Sequence, residues 1–66
     1  MKYNKNLLKA ELLMNEYNNR KLAKKLNISP ATLSKKINGI SQWKLAEIQK
    51  ITNIVGNEKS NLIFFG

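Results

Sequence analysis

The chain has 66 residues, with 12 Lys plus Arg against 4 Asp plus Glu, a formal net charge of +8, and neither His nor Cys. A chain this short buries roughly 60% of its unfolded surface, enough for one small core, so a single domain over residues 1–66 is expected. Lacking thiols, imidazoles and clustered carboxylates, it has no materials for a disulfide framework, a metal site or ordinary acid/base catalysis; neither an enzyme, a cofactor nor a metal is expected.

The apolar residues recur at helical rather than alternating spacing, which predicts an all-α fold of four or five helices without a linker or repeat. Asn6 is a suitable N-cap for a first helix over about 7–16, with Leu8 and Leu12 four apart on an inward face. Leu7, Leu13 and Met14 fall off that stripe; they widen the apolar surface as further core contacts or as a partner surface. "EYNN" ends this helix, Asn tolerating backbone conformations that most residues avoid.

Asn18 caps a second helix over 19–26, whose inward residues are Leu22, Ala23 and Leu26. Asn27 is expected to stop it in a left-handed conformation, and Ile28 then drops into the core. Ser29 caps a third helix over 30–37, with Pro30 at its first position, where a missing N–H costs nothing. This helix buries Leu33 and Ile37 and ends at Asn38-Gly39. Two short helices joined by a three-residue turn must cross steeply, with small Ala23 allowing close approach, so 19–37 reads as a helix-turn-helix.

A fourth helix over 45–55 turns Ile48, Ile51 and Val55 inward and stops at Gly56. If Lys44 is its N-cap, Trp43 and Ile48 form a hydrophobic staple; Ser41 is a better cap residue and gives an alternative start. A last helical turn is expected at about 58–64. Its Leu62, Ile63, Phe64 and Phe65 have three readings: the floor of the core, a dimer or partner seam, or a disordered end.

No run approaches the ~20 apolar residues of a membrane helix, and "MKYNKN" lacks the apolar region of a signal peptide, so a cytoplasmic protein is expected. The charge excess attracts polyanions, nucleic acid before an anionic membrane. Arg20 and Lys21 lie in the first turn of the second helix, where the dipole disfavours cations by a few tenths of a kcal/mol. A phosphate there turns that conflict into an anion site. The outward face of the third helix carries Ala31, Ser34, Lys35 and Asn38, with Lys36 at its edge, and no acid. Such compact donors suit a helix entering the major groove: Lys35 for guanine O6 and N7, the Ala31 methyl for a thymine methyl. Lys24 and Lys25 read as solvated surface, Lys35 and Lys36 as facing DNA.

"NRKLAKKLNISPATLSKKING" resembles the helix-turn-helix of the phage repressor and Cro-like family, also called the XRE family, and "WKLAEIQKITNIVG" extends the likeness over residues 6 to 56. It is most similar to small single-domain phage and prophage members. The resemblance implies a lambda-repressor-like domain that binds double-stranded operator DNA as a homodimer through the second helix of the motif. By position, Asn19 matches a phosphate-contacting residue; Pro30, Ala31, Ser34 and Lys35 match base-facing positions; Asn38 and the loop through Lys44 match backbone contacts. Pro30 and Ala31 replace the amides that often read bases in the family, which shifts weight to DNA shape. Lys36 stands where many members are apolar, and Lys44 where Ser or Thr is usual. The expected function is a Cro-type transcriptional regulator with phosphate contacts from Asn19, Arg20, Lys21, Lys36, Asn38 and Lys44. The alternative is an anti-repressor or antitoxin-like protein that uses the same fold to bind a partner repressor.

Overall fold

A computed structural model describes residues 3–66. Five helices follow in order: α1 Lys5–Met14, α2 Asn19–Leu26, α3 Pro30–Ile37, α4 Leu45–Val55 and α5 Asn57–Phe64. There is no strand among the described residues, so the all-α reading holds.

Local chemistry places most helix ends. Asn18 Oδ1 accepts from Lys21 N at 2.8 Å, and Ser29 Oγ accepts from Thr32 N at 3.1 Å. Asn27 takes the expected left-handed conformation at φ 60, with Ile28 N donating to Ala23 O at 2.9 Å. α4 starts after Lys44, not Ser41. A lysine side chain has no lone pair for the helix N–H groups, so Glu47 completes only half a capping box, accepting from Lys44 N at 2.8 Å.

Three boundaries depart from expectation. α1 begins earlier, because Asn4 rather than Asn6 is the cap: its Oδ1 accepts from Leu7 N at 3.0 Å. Asn4 is also held from the far end of the chain, its N–H donating to Ile63 O. The helix ends at Met14 rather than near 16, and Glu16, not an asparagine, takes the left-handed position at φ 61. Glu16 N donates to Leu13 O at 3.0 Å and Tyr17 N to Leu12 O at 2.8 Å, the bond pair that closes a helix C-terminus. The last turn is a full helix from Asn57, with Gly56 both terminating α4 and starting α5.

The core comprises Leu8, Leu12, Leu22, Ala23, Leu26, Leu33, Ile37, Ile51, Ile63 and Phe64. Ile28, Ile48 and Val55 pack against it but stay partly exposed. Of the three readings of the tail, Ile63 and Phe64 take the first, the floor of the core, being 0% and 5% exposed. With Ser60 they fall three and four apart on one face of α5, which leaves Leu62 and Phe65 on the outer face. Leu7 is half-buried, whereas Leu13 and Met14 are exposed.

An aromatic group closes the core around Phe64. Tyr3 stacks on it at 6.0 Å between ring centroids, and Trp43 meets it edge-on at 5.5 Å. The Tyr3 hydroxyl donates to Ile37 O at 2.9 Å, satisfying a carbonyl at the end of α3. Burial pushes this phenol up to about 12. Between α4 and α5, Thr52 Oγ1 donates to Ile48 O at 2.7 Å and lies 2.6 Å from the buried Ser60 Oγ. With the Thr52 proton spent on Ile48, Ser60 is the donor of the second bond.

Candidate nucleic-acid interface

α2 and α3 pack on each other across the turn at Asn27 to Ser29, and their outer surfaces carry no acid. Between Glu16 and Glu47 the chain has only cations: Arg20, Lys21, Lys24, Lys25, Lys35, Lys36 and Lys44. Of the four acids, Glu11 and Glu47 are buried and face lysines, Glu11 Oε2 lying 3.9 Å from Lys59 Nζ. Little negative charge therefore reaches the surface to offset the basic one.

At the start of α2, Asn19, Arg20 and Lys21 are all exposed. The Lys21 ammonium turns back to Glu16 O at 3.4 Å, a long contact that a phosphate competes with easily. On α3, Pro30, Ala31, Ser34, Lys35 and Asn38 are exposed together, as is Lys44 beyond the loop. Asn38 Nδ2 lies 3.4 Å from Ser34 Oγ, one turn apart on the same face. Thr32 also reaches this surface, its hydroxyl held by Ser29 Oγ at 2.9 Å; sequence reading passed over it.

Lys36 does not belong with them. It is 5% exposed, and its ammonium donates to Glu47 Oε1 at 2.9 Å and to Gln42 O at 3.1 Å. The expected phosphate contact is thus replaced by a buried ion pair. The reason is angular: at 100° per residue, Lys36 lies three after Leu33 and one before Ile37, on the inward side of α3. Glu47, which sequence reading did not single out, is only 6% exposed. Burial works to raise its pKa, but the Lys44 N–H and the Lys36 ammonium outweigh that and hold it below the ordinary 4.5.

No family model, curated protein or solved structure matches this chain. The surface of α2 and α3 offers hydrogen-bond donors, cations and small apolar groups. Among the described residues no carboxylates gather into a metal-holding group, and no helix is long and apolar enough to cross a membrane.

Beside the polar surface lie exposed apolar residues that sequence reading also left aside. Ile40, in the loop that joins α3 to α4, and Leu45, at the start of α4, are 75% and 70% exposed. The Trp43 indole N–H, between them in sequence, is buried and within hydrogen-bond distance of no acceptor among the described residues.

Proposed function

We propose that this chain is a sequence-specific DNA-binding regulator of the Cro type, working in the cytoplasm as a homodimer that lays α3 in the major groove of an operator. The observation that carries the reading is the exposed, acid-free face of α3, with Ser34, Lys35 and Asn38 on one side of a helix whose other side is core. Lys35 donates to guanine O6 and N7, Ala31 meets a thymine methyl, and Ser34 donates to a base edge or a phosphate. Asn19, Arg20 and Lys21 supply phosphate contacts at the start of α2, and Asn38 and Lys44 supply them beyond α3. In a dimer the two recognition helices stand about 34 Å apart, one turn of the duplex, which requires a palindromic site. The resemblance of 19–39 to Cro-like sequences supports the same reading.

The exposed Leu13, Met14, Leu62 and Phe65 favour a second reading, in which the chain binds another regulator as an anti-repressor or antitoxin does. The discriminating experiment is selection from a random duplex pool, followed by anisotropy binding of the double variant Ser34→Glu/Lys35→Glu. Enrichment of a palindrome, with binding lost in the variant, supports the DNA reading. Failure to enrich any site refutes it and directs attention to the apolar surface.

A further inference from the structure

We infer that the buried Lys36–Glu47 pair is a positioning device for the DNA-facing surface: it fixes residues 38–44 and the start of α4 against the end of α3, and so sets where Asn38 and Lys44 meet the phosphate backbone. This rests on the DNA reading above.

A buried ion pair adds little stability over well-packed apolar residues of the same size, so its place in so small a core calls for a geometric explanation. Its hydrogen bonds provide one. The Lys36 ammonium, from the last turn of α3, holds Gln42 O at 3.1 Å and Glu47 Oε1 at 2.9 Å. The same carboxylate oxygen accepts from Lys44 N at 2.8 Å. Two backbone groups of the loop, Gln42 O and Lys44 N, thus converge on one charged pair drawn from α3 and α4.

The loop backbone is otherwise bonded only at its near end. Gly39 N donates to Lys36 O at 3.2 Å, and Ile40 N and Ser41 N donate to Lys35 O at 2.9 and 3.2 Å. Between these and the first bond of α4, Ile48 N to Lys44 O at 3.0 Å, the backbone polar contacts among the described residues are those made by Lys36 and Glu47. Residues 42–44 therefore take their polar anchoring from the pair. Opposite charges at contact, both nearly sealed from water, also leave little net field at the surface. Lys36 acts on DNA through the loop it holds, not by touching phosphate.

The test uses the full chain, the duplex that it enriches from a random pool and a scrambled duplex, at one salt concentration, with folding followed by circular dichroism. Glu47→Gln removes a negative charge, which by electrostatics alone tightens binding to a polyanion. Positioning gives the opposite sign on the selected duplex, about tenfold weaker binding, the scale of one charged hydrogen bond, while the scrambled duplex is bound at least as tightly as before. The exposed acid control, Glu58→Gln, does not weaken either. Lys36→Met/Glu47→Met leaves net charge unchanged and no buried charge unpaired, so it folds even where the single variant does not, and it too binds the selected duplex about tenfold more weakly. Undiminished binding by the folded double variant overturns the role of the pair and leaves the DNA reading intact. If the unmodified chain enriches no site, the DNA reading itself falls, and this inference with it.

Discussion

Glu16 occupies φ 61, a left-handed conformation that costs a residue with a β-carbon roughly 1–2 kcal/mol. It is exposed and its carboxylate is not part of the core, so little holds it there except the turn that α1 needs in order to hand the chain to α2. Glu16→Gly is expected to stabilise the fold by about 1 kcal/mol in urea melts, the relief at a left-handed helix end outweighing the extra freedom of the unfolded chain. Glu47 gives a second residue-scale prediction, with pH as the variable. Its carboxyl titrates lower in the folded chain than the ordinary 4.5, so its contribution is fully present above about that pH and is lost as pH falls through the folded value. Denaturant melts from pH 7 down to 3 therefore show a stability loss beginning near pH 4.5, and Glu47→Gln flattens part of that slope. A variant with the full acid slope contradicts the assignment. Neither residue stood out in the sequence. Glutamate is not a usual left-handed residue, and Glu47, which also accepts from Lys44 N at the start of α4, has its ion-pair partner Lys36 eleven positions away.

At the scale of the element, helix identity was readable because caps and i, i+4 spacing are local properties. Asn18, Asn27, Ser29 and Pro30 each do what their chemistry favours, and α2, α3 and α4 have the bounds expected of them. α1 and α5 moved because each depends on a distant part of the chain. Asn4 and Asn6 are equally good caps, and the bond from Asn4 N to Ile63 O belongs with the earlier start. Gly56 reads from sequence as a stop, yet its φ of 94 and ψ of 160 also turn the chain directly into α5. A Cβ at Gly56 meets nothing within 4 Å, so the cost of adding one is conformational rather than steric. Gly56→Ala is expected to destabilise by about 1–3 kcal/mol in thermal or urea melts. A loss near zero means that the α4–α5 corner relaxes into another conformation without penalty.

Across the whole molecule, the excess of positive charge and the burial of two of the four acids mean that, on the proposed DNA reading, binding is expected to depend steeply on salt. In an anisotropy salt series, Lys21→Ala is expected to lower the slope of log K against log salt by roughly 0.9 for each protomer engaged. Lys24→Ala, one turn away on the solvated side of α2, leaves the slope unchanged. Equal effects from the two variants mean that the basic surface acts as a diffuse cloud rather than a positioned footprint.

By itself the sequence determined the all-α class, the single helix-turn-helix, most of the core and the polar composition of the α3 surface. These follow from spacing and capping within a few residues, where the helix period dictates which side chains share a face. Only the tertiary structure decided which lysines face outward, which tail residues belong to the core and where α1 and α5 begin. Lys35 and Lys36 are equivalent in composition and adjacent in sequence, but 100° of rotation puts one in water and the other against Glu47. Tyr3 and Ile37, 34 positions apart, are joined by a hydrogen bond that no local pattern encodes. Such choices are settled by what folding brings near, because a buried charge or hydroxyl is tolerated only where a partner from elsewhere in the chain arrives to meet it.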